Sequence, residues 1–181
     1  MNQNPLVRIA LQYGAYTGLA SFAFFLLLYF LGFNPLGPGS WLAIWIPVVF
    51  IVLATRLYRD HELGGYISYW KAVGVGLLVV VASAVMYDLL LYIFFVLIDP
   101  SLVQLQLNQD IESMERAKGM FSEENYEKLM AQFEKNKDKY TAGGLSVSNF
   151  EGKLIVGFII SLITAAVLRK EKPFFEPEQP E

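Results

Sequence analysis

Four apolar runs divide this chain, and the polar residues are confined largely to the stretches between them. Residues 9–31 form the first run, 23 positions without a charge. The second, 41–57, is shorter and ends at Arg56. The third, 72–98, is 27 residues long, and the fourth covers 154–168 with Phe150, Gly152 and a snorkelling Lys153 leading into it. A helix needs about 20 predominantly apolar residues to cross a ~30 Å hydrocarbon layer, so each run is predicted to span a membrane. The first is too long for the apolar part of a cleaved signal peptide, and no small-residue cleavage site follows it, so it is expected to be retained. The third run would be about 40 Å long at 1.5 Å per residue and must tilt or project from the bilayer. Pro47 is expected to kink the second, and Trp41 and Trp45 fit an interfacial aromatic belt.

Between the third and fourth runs the pattern changes from apolar to amphipathic. Asp99 followed by Pro100 predicts a capped helix running to about Lys118, with Gly119 suited to its C-terminal cap. Ser122, followed by Glu123 and Glu124, predicts the start of a second helix. Tyr126, Leu129, Met130, Phe133 and Tyr140 recur along it at helical spacing until Gly143-Gly144, where the pattern is expected to break. Such a stripe is expected to fold onto its sister helix or the span ends. The predicted fold class is all-α: an integral membrane four-helix bundle with an extracytoplasmic helical hairpin between spans three and four. The corresponding division is 1–98 for the first three spans, 99–149 for the hairpin, 150–170 for the fourth span and 171–181 for a disordered cytoplasmic tail.

Charge sets the orientation. Arg8, Arg56, Arg59, Lys71, Arg169, Lys170 and Lys172 lie beside span ends on one side, whereas the first opposite loop, GFNPLGPGS, has no basic residue. Positive residues favour the cytoplasmic face, so both termini are expected there, in a bacterial cytoplasmic (inner) membrane. The net charge of −3 and the lack of a basic stripe give no support to nucleic-acid binding. With no cysteine, disulfides, thiolate nucleophiles and zinc–thiolate sites are excluded.

Spans associate through small residues that let backbones approach. Ala10, Gly14 and Gly18 form such a strip on span one, and Gly157, Ser161 and Ala165 form another on span four. Both are predicted helix contacts, whether with each other, with span three at Ala72 and Gly76, or with a second copy in a homo-oligomer. Asp88, inside span three, is the intramembrane polar candidate. A charge in a bilayer is costly and marks a functional candidate, but a structural hydrogen bond to a tyrosine or serine near the outer face ranks ahead of ion coupling. No second acid, histidine or lysine is expected in another span to complete a proton relay. His61, beside Asp60 and Glu62, makes too small a ligand set for a metal and reads as a solvated loop. Gly64-Gly65 reads as a turn into span three, and the glutamates of the hairpin as a solvated face. Phe174 and Phe175 read as interfacial anchors in the tail. No catalytic residue, metal site or cofactor is predicted.

The stretches GGYISYWKAVGVGLL, YIFFVLIDPSL and GFIISLITAAVLRKEKP resemble a family of bacterial four-span membrane proteins, domain of unknown function 4199, along essentially the whole chain. The resemblance implies a bacterial cytoplasmic-membrane location and suggests a glycosyltransferase as a partner. It implies no activity, cofactor or catalytic residue. Two functions are expected from the sequence, in this order: a non-enzymatic accessory or scaffold subunit, contacting the lipid bilayer and presenting the hairpin to an envelope partner, and a small oligomeric transporter or proton-coupled protein using Asp88. A membrane enzyme ranks third.

Overall fold

The computed structural model describes residues 4–172, so the tail from 173 onward, with Phe174 and Phe175, lies outside the described residues. These fold as six α-helices: α1 (Pro5–Phe30), α2 (Trp45–Leu57), α3 (Tyr69–Ile93), α4 (Ser101–Ala117), α5 (Glu123–Asn136) and α6 (Ala142–Leu168). Helical segments Pro5–Phe30, Pro38–Glu62, Tyr69–Ile98 and Ala142–Leu168 are long and apolar enough to cross a membrane. Their outward faces carry Leu11, Leu19, Leu78, Leu89, Ile159, Ile163 and Val167, all exposed, as suits contact with lipid rather than water.

Local chemistry sets the helix ends. At the start of α1 the Asn4 side chain accepts a hydrogen bond from the Leu6 amide at 3.1 Å. Gly32, at φ +79°, closes its far end, where the amides of Gly32 and Phe33 bond the carbonyls of Tyr29 and Leu28. The second span opens as a 3-10 helix, Pro38–Ile44, before becoming α2. The change of helix type precedes Trp45, and Pro47 sits in the first turn of α2, where an amide would have no partner to lose. Gly64 and Gly65 both adopt positive φ in the turn leading to α3.

α3 is the central helix, packed against α1 on one side and α6 on the other, with α2 touching all three. The small-residue strips explain how closely they pack. A methyl group added at Gly14 would run into Ala82 of α3, and one at Gly18 would lie 2.8 Å from the Met86 Cβ. On the other face a methyl at Gly76 would lie 2.8 Å from the Ser161 Cβ, and Gly157 abuts Val80. Both strips therefore meet α3 rather than each other. Near the chain termini the core is aliphatic, built on Ile51, Val75, Val79, Val80 and Ile160. At the opposite end it is aromatic, built on Phe25, Tyr87, Phe94 and Phe95, with Leu102 of α4 inserted from above.

α4 and α5 cap this aromatic end. Asp99 accepts from the Ser101 amide at 3.0 Å and from the Tyr29 hydroxyl at 3.0 Å, which starts α4 and ties it to α1. Asn34 donates to Gln106 at 2.9 Å. The Ser122 hydroxyl caps α5 by accepting from the Asn125 amide. Phe133 is buried, with its ring centroid 5.7 Å from that of Tyr140. Two expectations need correction here. Gly119 does not provide a left-handed cap; it lies in a 3-10 turn, Lys118–Met120, without positive φ. Gly143-Gly144 does not end a helix but begins α6, because the Thr141 hydroxyl accepts from the Gly144 amide at 3.0 Å. A side chain at Gly144 would overlap the Lys139 carbonyl oxygen, which explains why glycine stands there.

Candidate functional site

The early start of α6 changes the neighbourhood of Asp88. Lys153 lies 11 residues inside the helix, about 16 Å along its axis, and belongs to the strip continued by Gly157, Ser161 and Ala165. The contacts Gly76–Ser161 and Val80–Gly157 fix the antiparallel register of α3 and α6. Continued four residues at a time, that register sets Ala84 opposite Lys153 and Asp88 opposite Asn149. Depth agrees: Asp88 is about 25 Å along α3 from Lys71, and Lys153 about 22 Å along α6 from Leu168. Lys153 of α6 therefore stands about one helical turn from the level of Asp88, a lysine of another span that the sequence did not set beside it.

Lys153 does not form an ion pair with Asp88. Its ammonium lies on the face of the Tyr87 ring, 2.8 Å from the centroid, a cation–π contact in an environment with little water. Asp88 is only 7% exposed, and among the described residues neither carboxylate oxygen has a hydrogen-bond partner, so the expected tie to a tyrosine or serine is not made there. Nearby hydroxyls are already used. Ser83 donates to the Val80 carbonyl and Thr17 to Tyr13, each within its own helix, and the Asn149 amide donates to the Leu145 carbonyl.

Tyr87 and Lys153 line a half-open cavity of about 690 Å³ between the spans and the cap. Phe24, Phe25, Val80, Gly157 and Ile160 form its apolar part. Gln106, Asp110, Asn136, Lys139 and Tyr140 form a polar roof, and Asn149, Gly152 and Lys153 lie on the α6 wall. The roof is ordered by its own bonds: Tyr140 donates to Asp110 at 2.7 Å, and Gln106 donates to the other carboxylate oxygen at 2.8 Å. Burial and then the hydrogen bond to Asp110 push the Tyr140 phenol above its ordinary value, so it remains a donor at neutral pH. Along one edge runs the 3-10 segment Pro38–Ile44, no residue of which is buried. Trp41 and Ile44 line the cavity and are also 64% and 44% exposed. The volume falls within the ~300–1,000 Å³ usual for small-molecule sites.

Lys153, Tyr87, Gly152 and the roof residues were not predicted as site residues from the sequence, where Gly152 and Lys153 served only as the lead-in to span four and Tyr140 as part of an apolar stripe. A signal existed for Lys153: it stands four residues before Gly157 on the strip that packs against α3, a position that cannot face lipid. His61 is exposed in the π-helical segment Tyr58–Glu62 that continues α2, away from the cavity. Among the described residues no three histidine, aspartate or glutamate side chains come together as a metal site.

No curated protein and no solved structure matches this chain. Residues 12–170, which include all four apolar helical segments in whole or in part and the entire cap, match the family described as "Protein of unknown function (DUF4199)", and the chain belongs to that family.

Proposed function

We propose that this is a non-enzymatic accessory protein of a bacterial cytoplasmic membrane that holds an amphiphilic molecule in the cavity beneath the α4–α5 cap, with both termini on the cytoplasmic side. Supporting this orientation are Arg8, Arg56, Arg59, Lys71, Arg169, Lys170 and Lys172, beside the span ends opposite the cap. The observation that carries the function is the cavity itself, apolar among the spans and polar at its roof, which has the distribution of chemistry along an amphiphile. Lipid of the outer leaflet would enter past the unburied Pro38–Ile44 segment. The outward face of the cap, with Glu112, Glu115, Glu124 and Lys128 exposed, is where an envelope partner would dock; a glycosyltransferase is the class suggested by the family resemblance.

Gly152 provides the test. It lines the cavity, and a methyl group built on it meets nothing within 4 Å. Gly152→Phe should fill the space without disturbing the helix contacts. Native mass spectrometry of the protein released from mild detergent should show one retained lipid on the wild type and none on the variant. Equal retention by the two would refute the proposal.

The unpartnered carboxylate of Asp88, one helical turn from the level of Lys153, favours a second reading: a proton-coupled transporter, in oligomeric form, using Asp88. Asp88→Asn should then abolish pH-dependent flux in proteoliposomes, and unchanged flux would exclude that role.

A further inference from the structure

The identity of the headgroup follows from how the charges around the cavity are partnered. We propose that the amphiphile is acidic, its anionic headgroup bound by the Lys153 ammonium where the apolar wall meets the polar roof. This rests on the cavity's holding an amphiphile and adds the chemical class.

An ammonium group has three N–H donors. Lys153 lines the cavity, yet no carboxylate lies within ion-pair distance and no oxygen accepts a hydrogen bond from it among the described residues. The Tyr87 ring supplies electrostatic attraction to the cation but no acceptor atom. The carboxylates that could have served are otherwise placed. Asp110 is held by Tyr140 and Gln106, and Asp88 is buried on α3 outside the cavity wall. Lys139 adds a second cation at the roof, so two cations and one occupied carboxylate face the cavity. A phosphate or similar anion at this point would satisfy the Lys153 donors in a setting where charge-assisted hydrogen bonds are strong. Its chains would lie along Phe24, Phe25 and Ile160. A zwitterionic headgroup would bring its own cation toward Lys153 or Lys139.

The measurement is a titration of the delipidated full-length protein, read by native mass spectrometry, with phosphatidylglycerol and phosphatidylcholine of identical chains. Wild type should prefer phosphatidylglycerol by about tenfold, the least expected from one hydrogen bond to a charged group. Lys153→Met should erase that preference while retaining one site for either lipid, and Lys153→Arg should keep it. A preference unchanged in Lys153→Met would overturn the assignment of the headgroup and leave the cavity reading standing. Binding of both lipids undiminished by Gly152→Phe would instead overturn the cavity reading. Displacement of phosphatidylglycerol by millimolar inorganic phosphate would identify a site for the free anion and contradict the amphiphile.

Discussion

The two ends of the bundle solve the same packing problem differently. At the termini end, glycine, alanine and serine bring helix backbones together, and aliphatic side chains fill what little space remains. At the cap end aromatic rings fill the space between the helices: Phe25 lies 5.1 Å from Phe94 between ring centroids, and Tyr29 also lies 5.1 Å from Phe94. Polar bonds then stitch the cap to the rim. In a bilayer, where lipid tails are as apolar as leucine, close backbone approach is a main source of helix association. The cap end relies instead on aromatic and polar contacts, and the cavity lies there. Rigidity and capacity are thus separated along one axis.

The most complete test of the contrast is positional. The protein has no cysteine, so single cysteines can be introduced cleanly. Met120→Cys in the exposed cap turn should react fully with an impermeant maleimide in intact cells, whereas His61→Cys at the termini end should react only after lysis. The reverse pattern would invert the orientation. Next in size is the effect of filling the close contacts. Gly76→Leu should lower stability by about 3 kcal/mol through overpacking against Ser161, whereas Gly74→Leu, where nothing lies within 4 Å, should be nearly silent. Thermal unfolding in detergent measures both, and equal effects would remove the basis for a tight termini end.

Smaller effects belong to the cap. Tyr140→Phe removes the hydrogen bond to Asp110 and should cost about 1 kcal/mol, a shift of roughly 2–4 °C in Tm. It should also loosen the roof, read as faster amide exchange in α4. The smallest concerns acid. The Ser101 hydroxyl, with the Tyr29 hydroxyl and the Ser101 amide, holds the Asp99 carboxyl below its ordinary value. A carboxyl so lowered stabilises the fold fully above about pH 4, and the contribution is lost as pH falls through its folded-state value. Asp99→Asn should flatten this acid limb of the stability curve; an unchanged limb would assign the acid sensitivity elsewhere.

Much of the fold was legible because bilayer crossing leaves a strong signal: a long apolar run has few other meanings. The caps at Asp99 and Ser122 and the turn at Gly64-Gly65 were legible for the same kind of reason, one residue type serving one backbone need. The start of α6 was hidden because Gly143-Gly144 has the composition of a break. Thr141 caps the helix there, and Gly144 is required by the nearby Lys139 carbonyl rather than by a turn. That single misplacement put Lys153 at the headgroups and left Asp88 alone. The cavity itself has no sequence pattern, since its lining comes from all six helices and the 3-10 segment, and its roof from residues that look solvated when read along the chain.

The central claim is that lipid occupies the space beneath the cap, and the most direct measurement is where a lipid can be cross-linked. The protein would be reconstituted with a phosphatidylglycerol carrying a photoactivatable group near its headgroup, irradiated, digested and mapped. Adducts should concentrate on the cavity wall, at Ser148, Gly152 and Trp41, and fall in Gly152→Phe. Adducts confined to outward-facing positions at the same depth, such as Val147 and Leu97, would contradict it.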